Sequence, residues 1–229
     1  MSSSSNRHSR RSFVNRLTGM SALALMAPTE LAFAEPADSA KASWDLSWLD
    51  SLKGKHKQVF DLGSTDLSER DVVTGDTPLR VPRNYLNAHK EVYNLEYPKI
   101  NTIVGIAFSA FPMNATDDIW RKYSLGEKWK IKDSSTGTWA VRNLFSNPTA
   151  PLDDKGVTLE ALRKRGTIFW QCNNALNGAV QILAAAMKME VPKVREELVA
   201  GLMPGVRLVP AHTMALGLVQ ERGCTYEHV

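Results

Sequence analysis

The chain of 229 residues carries 28 Lys and Arg against 24 Asp and Glu, a formal charge of +4. Four of those cations (Arg7, Arg10, Arg11, Arg16) and one acid (Glu30) fall in residues 1–34, so the remainder carries only +1 and gives no argument for nucleic acid or an anionic surface as partner. Two cysteines, Cys172 and Cys224, are too few for a disulfide framework, so the 195 residues beyond Ala34 must hold one domain by their own core.

Ser9-Arg10-Arg11-Ser12-Phe13-Val14 resembles the twin-arginine export motif, and a weakly apolar stretch runs from Leu17 to Ala27. Ala32-Phe33-Ala34 presents the small-x-small pattern of a signal peptidase site, which predicts cleavage after Ala34. Pro28 and Glu30 interrupt the apolar run well short of the roughly 20 residues a membrane span needs. The expectation is a periplasmic or otherwise exported bacterial protein with no membrane span after cleavage. Export in the folded state, which the resemblance implies, makes a disulfide unnecessary for folding.

Residues 35–43 read as a tether, and Trp44, Leu46, Trp48, Leu49 and Leu52 as a short amphipathic helix lying on the domain. The domain proper is expected over 56–229. Lys57–Leu62 reads as a strand closed by Gly63-Ser64, and Val81–Asn94 as a helix with Tyr85, Leu86, His89 and Val92 on one face. Ile100–Phe108 is apolar without alternation, as in a parallel strand covered on both faces. Asn114–Tyr123 reads as a helix with Ile119, Trp120 and Tyr123 inward. Residues 124–157 mix Gly, Ser, Thr, Asn and Pro with isolated tryptophans. A structureless stretch that long is unusual, so short strands or an oligomer contact are expected there.

Thr158 caps a helix through Arg165, and Ile168–Cys172 (IFWQC) forms a buried strand. The helix that follows carries Ala175, Leu176, Ala179, Val180, Leu183 and Met187 at three- and four-residue steps, with Asn173 or Asn174 as its N-cap. Val191–Leu202 is a helix, Val206–Val209 a strand, Ala211–Arg222 a helix and Thr225–Val229 a final strand. Strands alternating with helices predict an α/β domain: three layers around a mostly parallel sheet. Ligands of such sheets bind beyond the carboxyl ends of the strands. Gly63-Ser64, Ser109–Met113, Cys172–Asn174 and Pro210–His212 would all lie there.

IFWQCNNAL, ELVAGLMPGVRLVPA and LVQERGCTYEHV together resemble the C-terminal third of the DsrE/DsrF-like family, through Cys172, Leu202-Met203-Pro204-Gly205-Val206 and Val209-Pro210-Ala211; Arg83-Asn84-Tyr85-Leu86 matches more loosely. The resemblance implies a flavodoxin-like, DsrE-like topology and a homo-oligomer. It also implies a sulfur relay in which a small sulfur species, or a partner protein that delivers it, loads the strand-end cysteine as a persulfide. One position departs: His212 stands where the family commonly has a small residue.

Cys172 is therefore the candidate reactive thiol, at a helix N-terminus whose free N–H groups and dipole favour negative charge. The competing reading is a buried structural cysteine in a non-catalytic binding or assembly module. His212 is a second candidate, as a group that bonds a thiolate or a ligand anion, or as a solvent-exposed histidine at a helix start. Asn173, Asn174, Ser109 and Ser64 are candidate ligand contacts at the same edge. Cys224 is read as packing, or as a redox partner if its Cα lies within about 7 Å of that of Cys172. Asp117-Asp118 and Asp153-Asp154 read as solvated or capping acids, and Trp129 and Trp139 as packing residues or pocket walls. No cofactor motif or metal spacing is present.

Overall fold

A computed structural model describes residues 44–68, 70–146 and 155–229. The expected export segment, its cleavage site, the tether and Asp153-Asp154 lie outside the described residues. The chain forms a three-layer α/β domain around a five-stranded, all-parallel sheet. Its strands are β1 (His56–Leu62), β2 (Ile100–Ile106), β5 (Ile168–Cys172), β6 (Arg207–Val209) and β7 (Thr225–His228), in the order β6-β5-β2-β1-β7. The helices are α1 (Arg80–Tyr93), α2 (Asp117–Tyr123), α3 (Leu125–Lys128), α4 (Leu159–Lys164), α5 (Asn173–Met187), α6 (Val191–Ala200) and α7 (His212–Glu221). A two-stranded hairpin of β3 (Lys132–Asp133) and β4 (Thr138–Trp139) fills part of the stretch that composition alone left open.

Side-chain alternation along the strands divides the core into two. Phe60, Leu62, Val104, Ile106 and Phe169 point to one face and are covered by α1, α5 and their neighbours through residues such as Leu86, Leu176, Val180 and Leu183. Val59, Ile103, Trp170 and Val209 point to the other, where Ala215 and Val219 of α7 meet Trp48, Leu49 and Leu52. Both faces of β2 are thus buried over its whole length, which is why it shows no polar alternation. The amphipathic stretch near the N-terminus does lie on the domain, but as a 3-10 turn, Ser47–Ser51.

The connections from β1 to β2, β5 and β6 step one way across the sheet with their helices on one face. The connection from β6 to β7 then returns to the far edge with α7 on the opposite face, so that each crossover keeps the right-handed sense.

Of the residues on the shared face of α1, Leu86 is buried and Val92 is 67% exposed, because the last turn of the helix points outward. Two expectations need correction. The helix expected from Asn114 starts at Asp117, after a separate 3-10 turn at Phe111–Asn114; Ile119, Trp120 and Tyr123 do face inward. The N-cap of α5 is Cys172 itself, not Asn173 or Asn174.

Asn143 holds the loop after β4 in place. Its Nδ2 donates to the carbonyls of Met113 (2.8 Å) and Ala115 (2.7 Å), while its Oδ1 accepts from the amides of Phe145 and Ser146. One buried amide side chain thereby satisfies four backbone groups that would otherwise be orphaned. Trp129 packs on Phe108 and Phe111, and Trp139 lies 39% exposed beneath the Lys132 ammonium.

Candidate functional site

β5 and β6 are neighbours, yet the helix after β5 covers one face of the sheet and the helix after β6 covers the other. The edge between two such strand ends is the usual ligand position of an open parallel sheet. Cys172 is the last residue of β5 and lies, buried, at that point of the edge. Its Sγ accepts the Ala175 amide of α5 at 3.4 Å and the His212 amide of α7 at 3.2 Å. The residue before α7 is Ala211, which has no side chain to cap the helix, so the sulfur serves the first turns of both helices. Two helix N-termini, each the positive end of its dipole, therefore converge on one atom. Cys172 is 4% exposed, but what meets its sulfur is backbone N–H as well as apolar packing.

The His212 ring does not touch the sulfur. Its Nε2 lies 2.6 Å from Asp61 Oδ1, and its Nδ1 accepts the Trp170 indole N–H at 3.1 Å. Register explains the arrangement: Asp61, Gly105 and Trp170 lie side by side on β1, β2 and β5, pointing to the α7 face. Gly105 leaves a slot between the two large side chains, and the imidazole fills it. The Trp170 and His212 rings meet edge to face at 5.7 Å, and Trp48 backs Trp170 at 6.0 Å.

Asp61 is the hub of this edge. Oδ1 also accepts the Gly63 amide at 2.7 Å, and Oδ2 accepts the Tyr226 hydroxyl at 2.8 Å from β7. Burial pushes its carboxyl up, but the Gly63 amide, the Tyr226 hydroxyl and the His212 ring outweigh that and hold it below the ordinary carboxylate value.

The remaining sequence candidates sit around this centre. Ser109 donates to the Gly63 carbonyl at 3.2 Å and ties two strand-end loops together. Ser64 is exposed and lies 3.4 Å from His228 Nε2. His228 Nδ1 stands 3.8 Å from Asp61, too far for a hydrogen bond, so the three do not form a connected relay. Asn173 accepts from Arg195 of α6 at 2.9 Å, and Asn174 is exposed. Asp117 accepts the Asn143 amide, and Asp118 pairs with Arg121, as capping and solvated acids do.

Cys224 is buried at the opposite end of the sheet, just before β7, and both cysteines are free. β5 and β7 are three strand spacings apart, about 14 Å before the offset along the strands is added. A bond between Cys172 and Cys224 is therefore excluded. Burial pushes the Cys224 thiol up to about 11, against a weaker opposite pull from Lys57.

Asp61, Trp170 and Tyr226 escaped sequence reasoning. The one available signal was an acid near the inner end of a strand, KQVFDL, otherwise read as buried. Among the described residues, no group of three or more His, Cys, Asp or Glu is arranged to hold a metal ion, and no helix is long and apolar enough to cross a membrane. A surface cavity of about 530 Å³ lies elsewhere, lined by Leu159, Glu160, Arg163, Lys164, Met203 and Pro204.

No family model matches the chain, and no curated protein matches it. Among solved structures, it is similar to a protein of unknown function, MTH1491 from Methanobacterium thermoautotrophicum. The identity is 16%, over 76% of this chain and 99% of that one, with a TM-score of 0.35.

Proposed function

We propose that this is an exported, DsrE-like sulfur-carrier protein that holds sulfane sulfur as a persulfide on Cys172. The observation that supports it is the pair of amide donors, from two helix N-termini, on one strand-end sulfur. In the step itself, the Cys172 thiolate attacks the outer sulfur of a small persulfide R–S–SH. The donor's S–S bond breaks, R–S⁻ leaves, and Cys172 carries S–SH; no external oxidant is consumed. The resemblance to the DsrE/DsrF-like family implies a homo-oligomer, and the twin-arginine motif implies the periplasm. At 4% exposure the thiol is nearly covered, so loading is expected to be slower than for an open thiol.

Treatment with glutathione persulfide followed by intact-mass and peptide mass spectrometry tests this reading. One added sulfur on Cys172, absent from a folded Cys172→Ser variant, is expected. No sulfur on Cys172 sinks the proposal. Burial of the thiol favours a second reading, a binding or assembly module of the same fold, in which Cys172→Ala is functionally silent and Cys172 resists alkylation of the native protein.

A further inference from the structure

We propose that His212 is the positioning residue of the Cys172 thiol, with Asp61 and Trp170 as the groups that set it. The proposal builds on the reading of Cys172 as the reactive group and adds the device that holds its cradle.

One residue reaches both places. The His212 amide donates to Sγ at 3.2 Å, while its ring closes the line from Asp61 to Trp170 at 2.6 and 3.1 Å. An indole N–H is a donor only, so the imidazole nitrogen that faces it accepts and carries no proton. That places the ring proton on Nε2, aimed at Asp61 Oδ1, and the ring has one tautomer and one orientation. Asp61 in turn is fixed by the Gly63 amide and the Tyr226 hydroxyl.

The ring is also held by shape. A Cβ at Gly63 would meet Nε2 at 2.8 Å, and a Cβ at Gly105 would stand 3.0 Å from Cε1. These two glycines form a floor that any other residue would fill. With Ala211 as its N-cap, α7 has no capping side chain to stop its first turn from fraying. The clamped His212 ring supplies that restraint from inside the turn, and leaves the His212 amide free for the sulfur. Asp61 and Trp170 lie on β1 and β5, so the cradle is referenced to the sheet rather than to the loops.

The test uses the full chain without any sulfur donor. Alkylation of Cys172 by iodoacetamide is followed across a pH series, and the rate at neutral pH is divided by the alkaline plateau, which cancels changes in access. His212→Ala keeps the amide but frees its turn from the anchor, so this ratio is expected to fall by up to about tenfold, the worth of one hydrogen bond to a charged acceptor. His212→Gln, whose amide N–H can still reach Asp61, is expected to recover part of it. Imidazole ¹⁵N spectra of the wild type should show the Nε2–H tautomer alone, and Trp170→Phe should release the second tautomer. A folded His212→Ala variant with the wild-type profile, or a wild-type ring protonated on Nδ1, overturns the proposal. If the profile shifts as expected but persulfide never loads, the sulfur reading fails and the positioning role stands.

Discussion

Placing one methyl group in the slot beneath His212 is the sharpest test of how this edge is built. A Cβ at Gly105 would lie 2.5 Å from Cζ2 and 2.7 Å from Cε2 of Trp170, and 3.0 Å from Cε1 of His212. Neither ring can simply yield. Trp170 is fully buried with Trp48 behind it, and His212 is bonded at both nitrogens. Overpacking costs about 1–3 kcal/mol, and a 2.5 Å contact with a fixed ring belongs to the upper half of that range. Replacing glycine by alanine in a strand returns roughly 0.5–1 kcal/mol, so Gly105→Ala should lose about 1–2 kcal/mol net. For a domain of this size that lowers Tm by about 2–8 °C. Gly217→Ala is the matched control: its Cβ would meet nothing within 4 Å in the middle of α7, so the variant should gain about 0.5–1 kcal/mol of helix stability. Urea unfolding followed by far-UV circular dichroism reads both as changes in midpoint at constant slope. A Gly105→Ala midpoint equal to or above the wild-type value would refute the slot.

Two further outcomes follow from the same geometry. The Asp61 carboxyl lies below its ordinary value in the folded chain, so it contributes stability that is fully present above the unfolded value of about 4 and is lost as pH falls through the folded one. Asp61→Asn should therefore flatten the acid limb of a stability-against-pH curve, and superimposable acid limbs would contradict the assignment. Cys224, pushed up to about 11 by burial, should stay unmodified when the native protein is alkylated at neutral pH and react once urea is added; peptide mapping that finds it modified in the native protein would contradict this.

The elements that sequence located well are those whose pattern is local. β2 is a run of apolar residues because both its faces are covered, and α5 repeats its core residues at the helical step. Thr158 caps α4 through its own hydroxyl, which accepts the Ala161 amide at 3.0 Å. Val92 shares a face with the buried Leu86 yet is exposed, because helical spacing says which residues share a face, not where the sheet beneath that face stops. The cap of α5 was misjudged because asparagine is the commoner cap, and a cysteine takes that role only when its backbone is still extended from the strand.

By itself the sequence determined an α/β chain, the strand-to-helix turn at Cys172, and the gathering of Ser64, Ser109, Cys172 and His212 at one edge, because parallel strands must all end on the same side. Only the tertiary structure decided what meets the sulfur. Strand order sets α5 and α7 on opposite faces and brings both helix starts to one atom, and strand register aligns Asp61, Gly105 and Trp170 into a slot for the His212 ring. Both are pairings between segments far apart in the chain, and no local pattern of residue types encodes them.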